Sequence, residues 1–170
     1  MIRNFKRALP GAIAALLLTA ASVWAADYKV GNLEIQHPVA KATAPGAQVA
    51  GGYMTIVNHG SEPDWLVGGS ADFAGKVEVH EMKMDGDTMI MRPVEGGLEI
   101  PAGGSVELKP GGYHVMFMKV TEQLKPDEMR PTKLVFKKAG EVDIEFTVMG
   151  MGAFMKSMDG MDHSMGEGSD

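Results

Sequence analysis

The chain has 170 residues, 15 methionines, no cysteine, and 22 acidic against 16 basic side chains. Without thiols it has no disulfide framework, no zinc-thiolate or iron–sulfur site and no Cys-ligated blue-copper centre. Its acidic balance lacks the basic footprint of a nucleic-acid binder, and its length suits one domain with additions.

The first 25 residues, "MIRNFKRALPGAIAALLLTAASVWA", put Arg3, Lys6 and Arg7 ahead of an apolar run. Val23 and Ala25 then occupy the −3 and −1 positions before Ala26. This is the layout of a secretory signal peptide cleaved after Ala25. The apolar run, Ala8 to Ala21, falls short of the roughly 20 residues of a membrane span and contains Pro10. The expected mature chain is therefore exported, without a membrane span, and more acidic than the whole, because the three removed charges are all basic.

From residue 26 to 148 the pattern is short alternating runs: "LEIQ", "GYMTIVN", "KVEVHEM", "TMIMRPV", "GLEI", "SVELKP", "YHVMFMKV", "TKLVFKK" and "EVDIEFTVM". Gly, Pro, Asn and Asp punctuate them, as in an antiparallel β-sandwich or barrel. No amphipathic helical pattern of 15 residues is present. From Met149 the composition turns to Gly, Ser, Asp and Met, which predicts a mobile tail over 149–170. The methionines are not scattered as core filler would be. Apart from Met1, only Met54 and Met129 lie outside 80–118 and 149–165.

The stretch "HEMKMDGDTMIMR", His80 to Arg92, is read as a hairpin around Asp85-Gly86, a two-residue type I′ signal. On that register Met84 faces Asp87, Met82 faces Met89, and His80 faces Met91. His80, Met82, Met84, Met89 and Met91 then share one face, because side chains alternate along a strand. In "YHVMFMKV", His114, Met116 and Met118 likewise share a face. If the two segments pack together, His80, Met91, His114 and Met116 converge. Neutral, soft thioethers select Cu(I), whereas Zn, Ca and Mg sites are built from thiolate, imidazole or oxygen. No Ser-His-Asp set or carboxylate pair stands out, so no enzyme is predicted. His37, His59, Tyr53 and Trp65 are read as surface or core residues.

These residues resemble the PCu(A)C-type periplasmic copper(I) chaperones, whose motif is His, ten residues, Met, twenty-one residues, His-x-Met. His80 and Met91 are separated by ten residues, and "HVM", His114 to Met116, closes the motif after a gap of 22. "APGAQVAGGYMTIVN", "MRPV" and "IPAGGSVELKPGGYHVMFM" extend the likeness over about residues 30–148. The resemblance implies an all-β, cupredoxin-like Greek-key sandwich in the periplasm. It implies Cu(I) held by His80, Met91, His114 and Met116, with Met82, Met89 and Met118 as surrounding soft lining. The implied partner is a copper-accepting oxidase subunit, at a copper-A type centre, or another copper assembly protein. The tail resembles an extension that binds further copper, with Met161, His163 and Met165 as its donors and Cu(II) among its ions. A copper-buffering or resistance role would use the same residues.

Overall fold

The computed structural model describes residues 27–163, with side chains through 158. The expected signal peptide lies outside the described residues. Eleven strands and one helix follow in chain order. They are β1 Tyr28–Val30, β2 Leu33–Lys41, β3 Val49–Asn58, β4 Asp64–Ala71, β5 Ala74–Asp85, β6 Thr88–Pro93, β7 Leu98–Ile100, β8 Ser105–Leu108, β9 Tyr113–Val120, β10 Met129–Phe136, β11 Gly140–Met149 and α1 Met151–His163.

Hydrogen bonding runs β2-β11-β10-β4-β5-β9-β3, and a further β2–β3 pairing closes the circuit. The result is the expected cupredoxin-like all-β domain. One pairing departs from the antiparallel expectation: β11 runs parallel to β2, Thr147 to Met149 against Val39 to Lys41. Closure leaves few open sheet edges. Strand β6 is an exception, bonded only to β5 and exposed along its whole length. Among the described residues no helix is long and apolar enough to cross a membrane.

Alternation along each strand sends one set of side chains inward. From β5 and β9 these are Val77, Val79, Val115 and Phe117, all buried. Phe117 meets Phe146 of β11 edge to face at 5.4 Å between centroids, a favoured geometry for aromatic pairs. Gly52 on β3 lies against both rings. A Cβ there would stand 2.8 Å from Phe146 and 3.0 Å from Phe117. The outward set from the same two strands includes Glu78 and His80 on β5 and His114, Met116 and Met118 on β9, so the β5–β9 face presents the donors the sequence singled out.

Two features differ from expectation. Strand β4 is not announced by its sequence, because Gly68 and Gly69 interrupt it. The structure requires Gly69: a side chain there would run into the carbonyl of Lys133 on β10. Of the mobile tail expected over 149–170, Met149 ends β11 and Met151–His163 is helical. Phe154 anchors this helix. It is buried and lies 5.1 Å from the ring of Tyr53, and fully burying such a side chain contributes about 1.5–3 kcal/mol.

Candidate functional site: an imidazole–thioether cleft

The β5–β6 hairpin turns at Gly86-Asp87, not Asp85-Gly86. Gly86 takes a φ of +62° while Asp87 stays outside the positive-φ region, as in a II′ turn with glycine first. The register therefore moves by two residues. Met82 faces Met91, Met84 faces Met89, and His80 faces Pro93. The expected His80–Met91 opposition is thus corrected to Met82–Met91. A two-residue shift preserves the side-chain faces, so His80 and the four hairpin methionines still project to one side.

The residue opposite His80 on its other flank is His114 of β9. Their ring centroids are 6.0 Å apart, and both residues are buried. One step along, Glu78 faces Met116, and Lys76 faces Met118. On the far side of β9, Met116 pairs with Gly51 and Met118 with Val49 of β3. Gly51 leaves room for the Tyr53 hydroxyl, which would lie 2.7 Å from a Cβ at that position. The Tyr53 ring lies 6.4 Å from that of His114, and α1 covers Tyr53 through Phe154.

Met82, Met91, His114 and Met116 line one open cleft of about 310 Å³, walled by Tyr53 and the 41–47 segment. That segment is tied down by Ala42 N–H to the Met149 carbonyl (2.9 Å) and Thr43 N–H to the Leu124 carbonyl (3.0 Å). Of the expected primary set, Met91, His114 and Met116 line the cleft, and His80 adjoins it through His114. Met82, expected only as lining, stands directly across from Met91. Met89 and Met118 do not line the cleft. The side chains of Met161 and His163 and the whole of Met165 lie outside the described residues. Tyr53 and Glu78 are the functional neighbours that sequence reasoning missed. Glu78 was detectable as the polar residue two positions before His80 on the same face.

The hydrogen bonds of the two imidazoles leave a lone pair on each. His80 Nε2 lies 3.2 Å from the Glu78 carboxylate, which can only accept, so this nitrogen carries the proton. Its Nδ1 is buried and has no partner, an arrangement that costs about 1–3 kcal/mol unless something occupies the lone pair. His114 Nδ1 donates to the Gly112 carbonyl at 3.3 Å, which leaves Nε2 as its lone-pair nitrogen. Metal-binding histidines are oriented in this way by a carboxylate or carbonyl behind them. Burial, with the neighbouring His80 as a smaller cause, pushes the His114 pKa below its ordinary value, favouring the neutral, donor form. Glu78 is held below the usual carboxylate range by its hydrogen bonds to Lys76 and His80. Among the described residues no three His, Asp or Glu side chains are grouped to hold an ion. The donors available are imidazole nitrogen and thioether sulfur, a neutral set suited to a soft monovalent cation.

The fold and the cleft together define a class: a cysteine-free β-barrel domain with an imidazole–thioether cluster on the outer face of three adjacent strands, β6, β5 and β9. The chain belongs to the LpqE-like family, whose model, described as "Putative lipoprotein LpqE-like", matches residues 33–148. Among solved structures it is similar to the "Copper-bound PCuAC domain from PmoF2", with 30% identity and a TM-score of 0.63 over 74% of this chain and 98% of that one. It is similar to CuI-DR1885 from Deinococcus radiodurans, with 26% identity and a TM-score of 0.53 over 72% of this chain and 80% of that one. A curated relative, "Putative lipoprotein Lxx21020" of Leifsonia xyli subsp. xyli (strain CTCB07), is 28% identical over 102 residues, which is 60% of this chain and 61% of the relative. The present chain thus spans under two thirds of that relative.

Proposed function

We propose that the protein is an exported copper(I) carrier without catalytic function. It holds one Cu(I) between His80, Met91, His114 and Met116 and delivers it to a respiratory oxidase centre of the copper-A type, directly or through another copper assembly protein. The observation that carries this reading is an open cleft lined by the His114 imidazole and the thioethers of Met82, Met91 and Met116, with the buried His80 imidazole directly behind His114. The copper-bound PCuAC domain and the CuI-DR1885 structure among its relatives support it. The donors are uncharged, so Cu(I) stays monocationic, and binding displaces no proton while the histidines are neutral. Release proceeds by ligand exchange: the cleft is open, and an acceptor with thiolate or imidazole donors offers stronger ligands than thioethers.

Export to the periplasm rests on the layout of residues 1–25 and agrees with the lipoprotein descriptions of the family and of the Leifsonia xyli relative. None of the 170 residues is a cysteine, so none offers a thiol for lipid attachment. The segment beyond 149, with Met161, His163 and Met165, serves as an auxiliary site for Cu(I) or Cu(II). The test is anaerobic competition for Cu(I) against a chromophoric chelator, paired with measurement of oxidase copper loading in a deletion strain. The expected results are one tightly held Cu(I) and under-loaded oxidase. Failure to retain Cu(I) contradicts the carrier, and retention with normally loaded oxidase contradicts delivery.

A further inference from the structure

The hairpin carries two thioether rungs, and the cleft accounts for only one. Met82 and Met91 form the inner rung, at the cleft. Met84 and Met89 form the outer rung, directly opposed on the same face. These two are 55% and 56% exposed, so packing does not explain them. The hairpin tip runs on past β9, since β5 pairs with β9 only as far as Glu81 and residues 82–85 pair with β6 alone. At the turn stand Asp85, the last residue of β5, and Asp87, the second turn residue, both exposed.

We propose that Met84 and Met89 form a second, weaker Cu(I)-accepting site, the loading rung through which copper reaches and leaves the cleft. Opposed residues in an antiparallel pair have Cβ atoms about 4.5–5.5 Å apart, and two flexible thioethers bridge that span around one soft ion. Successive rungs on one face lie about 6.6–6.8 Å apart, two residues of strand rise. An ion at the tip therefore reaches Met82 and Met91 by exchanging one thioether for another. Copper remains Cu(I) throughout; sulfur–copper bonds are made and broken, and no electron or proton moves. The acidic pair at the turn favours approach of a cation, and the exposed rung meets a donor or acceptor before the buried histidines do.

This inference rests on the carrier reading, and one titration separates the two. The full chain, labelled at the methionine methyl groups, is titrated with up to three equivalents of Ag(I), a redox-silent soft stand-in, and followed by NMR. Signals are assigned with single Met→Leu variants. The expected result is that Met91 and Met116 methyls move with the first equivalent, and those of Met84 and Met89 move together with a later one. Movement of Met91 and Met116 while Met84 and Met89 stay fixed through three equivalents overturns the loading rung and leaves the carrier standing. No movement at any of the four overturns both.

Discussion

His80 of β5 and His114 of β9 stand opposite each other in the ladder, ring centroids 6.0 Å apart, each with one nitrogen spoken for and one bearing a lone pair. Residues 34 positions apart in the chain become cross-strand neighbours, and the methionines around them come from these two strands and from β6, which adds Met89 and Met91. His114→Ala and Met91→Ala should each weaken first-equivalent Cu(I) binding tenfold or more, at least about 1.4 kcal/mol. Met118→Ala, one rung beyond the cleft, should leave it within about twofold. Chelator competition measures all three. Equal losses in all three would mean that general packing, not ligation, sets the affinity.

Glu78 acts through His80. Its carboxylate accepts from Nε2 and so decides which nitrogen keeps the lone pair. Removing such an outer partner typically costs 10–100-fold in metal affinity. Glu78→Ala should therefore weaken Cu(I) by about tenfold while the apo melting temperature changes little, because Glu78 is on the outer face. Unchanged affinity in this variant would show that His80 is oriented by something else.

Acid should destabilise the apo domain through His114. Burial depresses its folded pKa, so the unfolded chain takes up the proton first. Its contribution is fully present above the unfolded value of about 6.5 and is lost as pH falls from there through the folded value. Thermal melts between pH 8 and 5 should show the decline, and His114→Gln should flatten it. Parallel curves for the two proteins would contradict the assignment.

Gly52→Ala tests the packing that supports β3 behind the site. The added Cβ meets Phe146 and Phe117, both fully buried, and overpacking of this kind costs about 1–3 kcal/mol. Gly152→Ala, in α1 with nothing within 4 Å of the new Cβ, should instead be neutral or stabilising by up to about 1 kcal/mol. Denaturant melts of the pair report the contrast, and a neutral Gly52→Ala would mean that this layer of the core is loosely packed.

The shared faces of the candidate donors were legible in sequence because a strand alternates with period two. With a two-residue hairpin loop, that rule places His80, Met82, Met84, Met89 and Met91 on one face, and it places His114, Met116 and Met118 together on theirs. Register was less legible. Glycine serves as the second residue of a I′ turn or the first of a II′ turn, so Gly86 allowed two hairpins, and the structure adopts the one that sets Met82 across from Met91. A shift of two hid the error by preserving the faces. Strand β4 was illegible because the reason for Gly69, the Lys133 carbonyl on a strand 64 residues later, is tertiary. The helix α1 was illegible for a similar reason. Phe154 is a single aromatic in a Gly- and Met-rich segment, and only the position of Tyr53 gives it a place to bury. Tyr53 was not legible as a site neighbour because its place depends on β9 and the helix, whereas Glu78, two residues before His80 on the same strand face, was open to reading from period two.

X-ray absorption at the copper edge, on the full chain loaded anaerobically with one equivalent of Cu(I), tests the central claim most directly. The account predicts a shell of two sulfur and two nitrogen scatterers, with sulfur lost in Met91→Ala and nitrogen lost in His114→Ala. A shell of nitrogen and oxygen alone, or one unchanged by either substitution, would contradict it.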